Sequence, residues 1–334
     1  MNIFRYELKK IFIENKALYV IIGFVLIMSI FNINADRPYN IGLELEKETY
    51  TRLAEEHNLY GKINNEKQDT VMLLKSNCIE AQQSFDEYFV KLRRGDIDSA
   101  EFFEETKQYS KKTNDKLGID QLLNQIDYVK VDQQSRYIMY ANGWESLFAM
   151  GYEYIFIIFA IIMSALIFAG EIDDGMEGFI VTCNNGKRKT IVSKLTILLG
   201  IMAIFLVGIN IIHYCYVAEN YQLNYGNFPI QSMQSFANCQ LNLSIIQGFM
   251  LLNLIKYLGI CIIAITSAII FVIMKNTITG TAVSMVVSFI SFAIAQNVGF
   301  DFSTIALGMI IGLAYIIVIF TITILLWDRR LRLR

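Results

Sequence analysis

The chain is 334 residues long, 54% hydrophobic, with a mean hydropathy of +0.41 and a formal net charge of −2. A soluble domain has too little interior to hide that much apolar surface, whereas a bilayer core about 30 Å thick demands runs of about 20 apolar residues. The near-neutral charge gives no reason to expect a nucleic-acid partner.

Residues 1–16 carry Ile3, Phe4, Leu8, Ile11 and Phe12 at roughly helical spacing, with Arg5, Lys9, Lys10 and Lys16 between them. This pattern predicts a cytoplasmic amphipathic interface helix lying on the membrane. The other reading is an ordinary basic flank of the first span. A long apolar run at 17–34 follows, with no small-x-small site after it, so it reads as a retained anchor and not a cleavable signal. Pro38 marks the exit from that span.

Residues 35–151 are highly charged. Val71, Leu74, Cys78, Ala81, Phe85, Tyr88 and Leu92 step by three and four, and Ile119, Leu122, Ile126, Val129, Gln133 and Tyr140 largely keep that rhythm. Such seams bury against partner helices. Gly95 and Gly118 fall between candidate helices, where reversal is easy. An antiparallel helical hairpin or small bundle is expected.

Further spans are expected at 152–170, 192–217, 257–274, 279–298 and 305–327. The apolar stretch before the fourth begins near Leu243. With Lys256 at the interface, 218–256 is a loop carrying an interfacial helix at 243–255. With an earlier helix start, Lys256 lies inside the bilayer, which is costly. The first reading is preferred. Lys and Arg concentrate in the N-terminal flank, in Lys187, Arg188 and Lys189, at Lys275, and in the basic tail 328–334 with Arg329, Arg330, Arg332 and Arg334. Loops 218–244 and 299–304 have none. Both termini are therefore expected in the cytoplasm and residues 35–151 outside the cell membrane.

Catalytic constellations are absent from the sequence. There is no HExxH, and the two histidines fall apart, His57 in the outer segment and His213 in the third span. His213 reads as a proton relay or as a packed imidazole. Gly186-Lys187 imitates a phosphate loop, but Val181 stands where the motif needs Gly and Arg188 where it needs Ser or Thr. The five cysteines (Cys78, Cys183, Cys215, Cys239 and Cys261) show no metal spacing. Cys215 and Cys239 are read as a possible pair or as unpaired apolar residues. No catalytic, cofactor or metal residue is assigned, and the chain is not expected to be an enzyme by itself. Within the spans the polar residues are mild: Ser164, Asn210, Thr266, Ser267. Gly280, Ser284, Ser288 and Ser291 give the fifth span a small-residue face for helix packing or for a pathway.

The connector 171–191 is more patterned than a membrane turn requires. It holds an acidic cluster (Glu171, Asp173, Asp174, Glu177), an apolar stretch (Phe179, Ile180, Val181), an Asn-Gly turn and a basic cluster (Lys187, Arg188, Lys189, Lys194). Ala169-Gly170-Glu171, then Gly186-Lys187-Arg188-Lys189 leading into Lys194-Leu195, resemble the membrane subunit of an ABC-2 type ABC transporter. The layout as a whole is similar, although about 25 residues carry the likeness. The large segment between the first two spans departs from the family's minimal pattern and resembles peptide- or drug-export members. The resemblance implies a coupling helix at 172–183 fitting a cleft on a separate ATPase.

The expectation is thus an all-α integral membrane protein with six transmembrane helices and a helical extracellular domain between the first and second. Its implied function is that of a permease exporting an amphipathic peptide, antimicrobial or other hydrophobic compound. ATP and Mg would sit on a cytoplasmic ABC ATPase subunit, and a second permease copy or sister chain would complete the membrane part. The ATPase-coupling residues are expected to be Glu171, Asp173, Asp174, Glu177, Phe179, Ile180, Lys187 and Arg188. A membrane sensor, whose outer domain binds a ligand and signals to a cytoplasmic partner, is the competing class.

Overall fold

A computed structural model describes residues 3–35, 41–127, 137–149, 153–169, 186–221, 223–237, 239, 241–274, 276–298 and 305–332. The fold is all-α. Among the described residues the only strands are β1 (Gly61–Lys62) and β2 (Tyr137–Ile138), paired antiparallel. The chain divides into two compact units.

The first unit holds residues 1–35, 148–216 and 249–334. It begins with α1 (Ile3–Lys9), which runs through a π-helical turn at Lys10–Glu14 into α2 (Ala17–Ala35). A bend of 60° separates Ile3–Glu14 from Ala17–Asn32. Lys16 sits at the corner with φ 55°, a conformation that non-glycine residues seldom adopt. Then come α8 (Glu153–Phe168), α9 (Gly186–Asn220), α10 (Ile245–Met274), α11 (Thr277–Val298) and α12 (Ile305–Arg332). Arg188–Asn220, Ile245–Met274 and Gly308–Trp327 are long and apolar enough to cross a membrane, and the bent pair adds a fourth crossing if counted as one. Tyr154–Phe168 and Thr277–Ser291 are apolar but shorter. These helices are consistent with a membrane protein.

The core of this unit is aromatic. Phe159 of α8 stacks on Phe205 of α9 at 3.7 Å between centroids, and Phe24 of α2 lies 5.3 Å from Phe159. Hydrogen bonds tie the helices where lipid offers no substitute partner. Ser164 Oγ donates to Ala160 O or Ala264 O, at 2.7 and 2.9 Å, and Tyr257 OH donates to Leu199 O at 3.3 Å.

The structure departs from the expected interfacial helix at 243–255 and separate span at 257–274. α10 is one uninterrupted helix from Ile245, passing through a half-buried Lys256. No proline interrupts the sequence there, so nothing in the backbone chemistry of this stretch stops the helix at Lys256.

The second unit holds residues 36–147 and 217–248. Four helices build it: α3 (Ile41–Glu56), α4 (Asn65–Arg94), α5 (Ser99–Asn114) and α6 (Lys116–Asp127), with the short α7 (Asn142–Phe148) after β2. Local signals explain the α4–α5 hairpin. Asn64 caps α4 by accepting from Lys67 N, and Gly95, at φ 78°, ends it by donating to Leu92 O. Asp98 then caps α5 by accepting from Glu101 N at 2.8 Å. Along the expected α4 seam Val71, Cys78 and Ala81 are buried, and Phe85 meets Phe102 of α5 edge-on at 5.6 Å.

Two expectations for this unit are corrected. Gly118 is not a reversal: the break falls at Asp115, and Gly118 lies inside α6. A Cβ there would stand 2.6 Å from the backbone N of Tyr50 and 2.8 Å from Thr49 C, so glycine permits the close crossing of α6 over α3. Tyr140 does not continue the α6 seam as helix. It follows β2 outside any helix or strand and packs its ring 5.4 Å from Tyr50. Val129 and Gln133 lie outside the described residues. Residues 217–248 join the same unit through Lys47 Nζ donating to Asn220 O (2.6 Å) and Trp144 Nε1 donating to Asn224 O (2.9 Å).

Candidate functional site

The segment singled out by sequence, from Glu171, Asp173, Asp174 and Glu177 to Phe179 and Ile180, lies outside the described residues. Its two ends are described. α8 stops at Phe168, and α9 starts at Gly186, placing Lys187 in its first turn and leaving Arg188 exposed.

The last carbonyls of a helix lack partners within it. At the end of α8 two consecutive ones are engaged from elsewhere in the chain. Asn15 Nδ2, between the π-helical turn and α2, donates to Leu166 O at 3.0 Å. Lys194 Nζ, from α9, donates to Ile167 O at 3.1 Å. Lys194 is 1% exposed, although it carries an ammonium group in a membrane-length helix. Its Nζ lies 5.9 Å from the ring centroids of Phe168 and of Trp327 in α12, at the outer limit of cation–π attraction. The negative end of the α8 dipole favours a cation at this position. The N-terminal segment, α8, α9 and α12 therefore converge at the base of the 170–185 connector. Lys194 is about 12 Å along α9 from Gly186, at 1.5 Å per residue.

The small-residue face is distributed differently. Ser284 and Ser288 are buried, and a Cβ on Gly280 would stand 2.6 Å from the Phe271 ring of α10. Ser291 is exposed and bonds its own helix at Val287 O. His213 is buried and His57 exposed. Cys78, Cys215, Cys239 and Cys261 are free thiols, while Cys183 is outside the described residues.

Sequence reasoning missed Asn15 and Trp327. Lys194 had a legible signal, a lone cation within an apolar run. Asn15 had none, because an asparagine beside a span is ordinary until its carbonyl partner is known. No protein-family model, curated protein or solved structure matches the chain.

Proposed function

We propose that the chain is the permease subunit of an ABC-2 type exporter, driven by ATP hydrolysed on a separate cytoplasmic subunit. In this reading six helices cross the cell membrane, both termini face the cytoplasm and residues 35–151 lie outside. Residues 171–190 dock the ATPase, through Phe179 and Ile180 as apolar anchors and through the flanking charges. A second permease subunit completes the pathway, and the cargo is an amphipathic peptide or an apolar compound.

The observation that supports this reading most is the convergence at the end of α8. A docking segment can move membrane helices only if its ends are joined to them. Asn15 and Lys194 hold adjacent carbonyls of α8 from the two elements that a coupling mechanism would have to engage. Motion received by the connector would reach α8, α9 and the N-terminal segment together.

The test is Phe179→Asp in the full-length protein. Buried interface anchors commonly contribute about 2 kcal/mol or more, roughly thirtyfold in affinity. The variant should insert normally but fail to retain the ATPase in pull-down, or hydrolyse ATP without transport in vesicles. Parent-like binding and transport would remove the segment from the coupling role.

A further inference from the structure

Between α4 and α6 of the second unit lies a cavity of about 300 Å³, at the lower end of the range of small-molecule sites. At about 30 Å³ per water-sized group it has room for roughly ten heavy atoms. Cys78 of α4 and Ile119 of α6 are its buried floor, and Ile79, 48% exposed, adds an apolar wall. Cys78 carries fewer side-chain atoms than Val71 or Leu74 before it in the α4 seam, which leaves space over it. Lys75 lines the cavity from α4 and Lys116 from α6, with Asp120 one turn beyond Lys116; all three are exposed.

Floor and rim differ in character. Burial, and after it the charges of Asp120 and Asp115, raise the Cys78 thiol above its ordinary range, against the pull of Lys116. A neutral thiol behaves as a small apolar group, so the floor offers a chain nothing but apolar surface. The rim is charged. Among the described residues neither Lys75 nor Lys116 takes part in an ion pair. The residues three and four away from Lys75 on its helix are Val71, Met72, Cys78 and Ile79, none of them acidic, so the helix itself supplies no counter-charge. The lining carries two positive charges against the one negative charge of Asp120. Lysine stems extend the apolar wall while their ammonium groups stay in water at its edge. An apolar floor under a net positive rim complements an aliphatic chain that ends in an anion.

We infer that this cavity binds a medium-chain fatty acid, its chain over Cys78, Ile79 and Ile119 and its carboxylate at the Lys75 and Lys116 ammonium groups. The inference stands apart from the permease reading, because binding is measured without ATPase or cargo.

The test uses Cys78 as its own reporter, in the full-length protein in nanodiscs with the other four cysteines replaced by alanine. Octanoate, which matches the cavity in size, is titrated against the rate at which N-ethylmaleimide alkylates Cys78, with 1-octanol as the neutral counterpart. A reporter inside the cavity does not register ligand that merely enters the lipid. Saturable slowing by octanoate is expected, at concentrations about fivefold or more below those octanol needs. The double variant Lys75→Gln/Lys116→Gln should raise the half-protecting octanoate concentration about fivefold, the scale of two exposed charge pairs. Asp120→Asn should lower it, since the one opposing charge is gone. Lys91→Gln, on α4 but outside the cavity, should leave it unchanged. Absence of protection, equal protection by octanol, a parent-like double variant, or a thiol that stays unreactive without octanoate would overturn the inference. If the alanine-replaced protein does not fold, calorimetric titration of the unmodified chain with octanoate, corrected for empty nanodiscs, decides through the same lysine and aspartate variants.

Discussion

Gly118→Ala tests the close crossing of α3 and α6, because two lines of physics give it opposite signs. Gly118 sits inside a helix, and it is not among the glycines with positive φ. Helix propensity alone therefore makes alanine more stable by about 1 kcal/mol. The structure argues the other way. The added Cβ would stand 2.6 Å from Tyr50 N, 2.8 Å from Thr49 C and 2.8 Å from Thr49 Oγ1. Two of these are backbone atoms of a packed helix and cannot turn aside, so α6 must move off α3 by several tenths of an ångström. Overpacking of this kind costs about 1–3 kcal/mol, and a backbone obstacle argues for the upper end. Subtracting the propensity gain leaves a net loss of about 2 kcal/mol. For a unit of this size that lowers the melting temperature by roughly 6 °C. The chain has two tryptophans, and Trp144 is buried in the second unit. Its fluorescence in a Trp327→Phe background follows this unit's unfolding. A melting temperature equal to or above that of the matched glycine protein would refute the close crossing.

Three further outcomes are expected. In a cysteine-free background, Ala100→Cys, at an exposed position, should react with a membrane-impermeant thiol reagent in intact cells while Gly186→Cys does not; the reverse pattern defeats the proposed orientation. Burial raises the folded-state pKa of Glu46 above the ordinary 4.5, so its contribution to stability is present below the unfolded pKa and is lost as pH rises through the raised folded one. Denaturation of Glu46→Gln against the parent should therefore show the variant gaining relative stability from acid toward neutral pH; a flat or opposite difference refutes the burial argument. Gly280→Leu should drive a side chain into Phe271, which is 1% exposed, and reduce the yield of monodisperse protein; a parent-like elution profile and melting temperature would show that this face is open.

What was legible in the sequence was what one segment states by itself. The α4 seam from Val71 through Ala81 was readable because apolar residues recur at helical spacing, and Gly95 ended the helix because φ 78° suits glycine. Gly118 looked the same in sequence but serves a different purpose, since its need comes from Tyr50 and Thr49, some seventy residues away. The β1–β2 ribbon has two residues per strand and leaves no alternation to detect. α10 could not be bounded from Lys256, because whether a helix runs through one charge depends on packing. A polar pocket in the second unit, lined by Glu46, Asp120, Asn142 and Glu145 among others, was invisible for the same reason, since these are ordinary polar residues until α3, α6 and α7 gather them. At the base of the connector, Lys194 stood out by its charge, but its carbonyl and ring partners lie on other helices.

The two bonds at the end of α8 also bear on how the chain is made. Synthesis runs from the N-terminus, so Asn15 is already in place when Leu166 emerges from the ribosome, and the first of the two carbonyls can be met at once. Ile167 must wait for 27 more residues before Lys194 exists, and Trp327 follows 133 residues after that lysine. The nascent α8 is thus first anchored backward to the N-terminal segment, then forward to α9, and Lys194 of α9 acquires its second ring when α12 arrives. Completion of this corner therefore waits for α12, and truncation before α12 leaves Lys194 without the Trp327 ring.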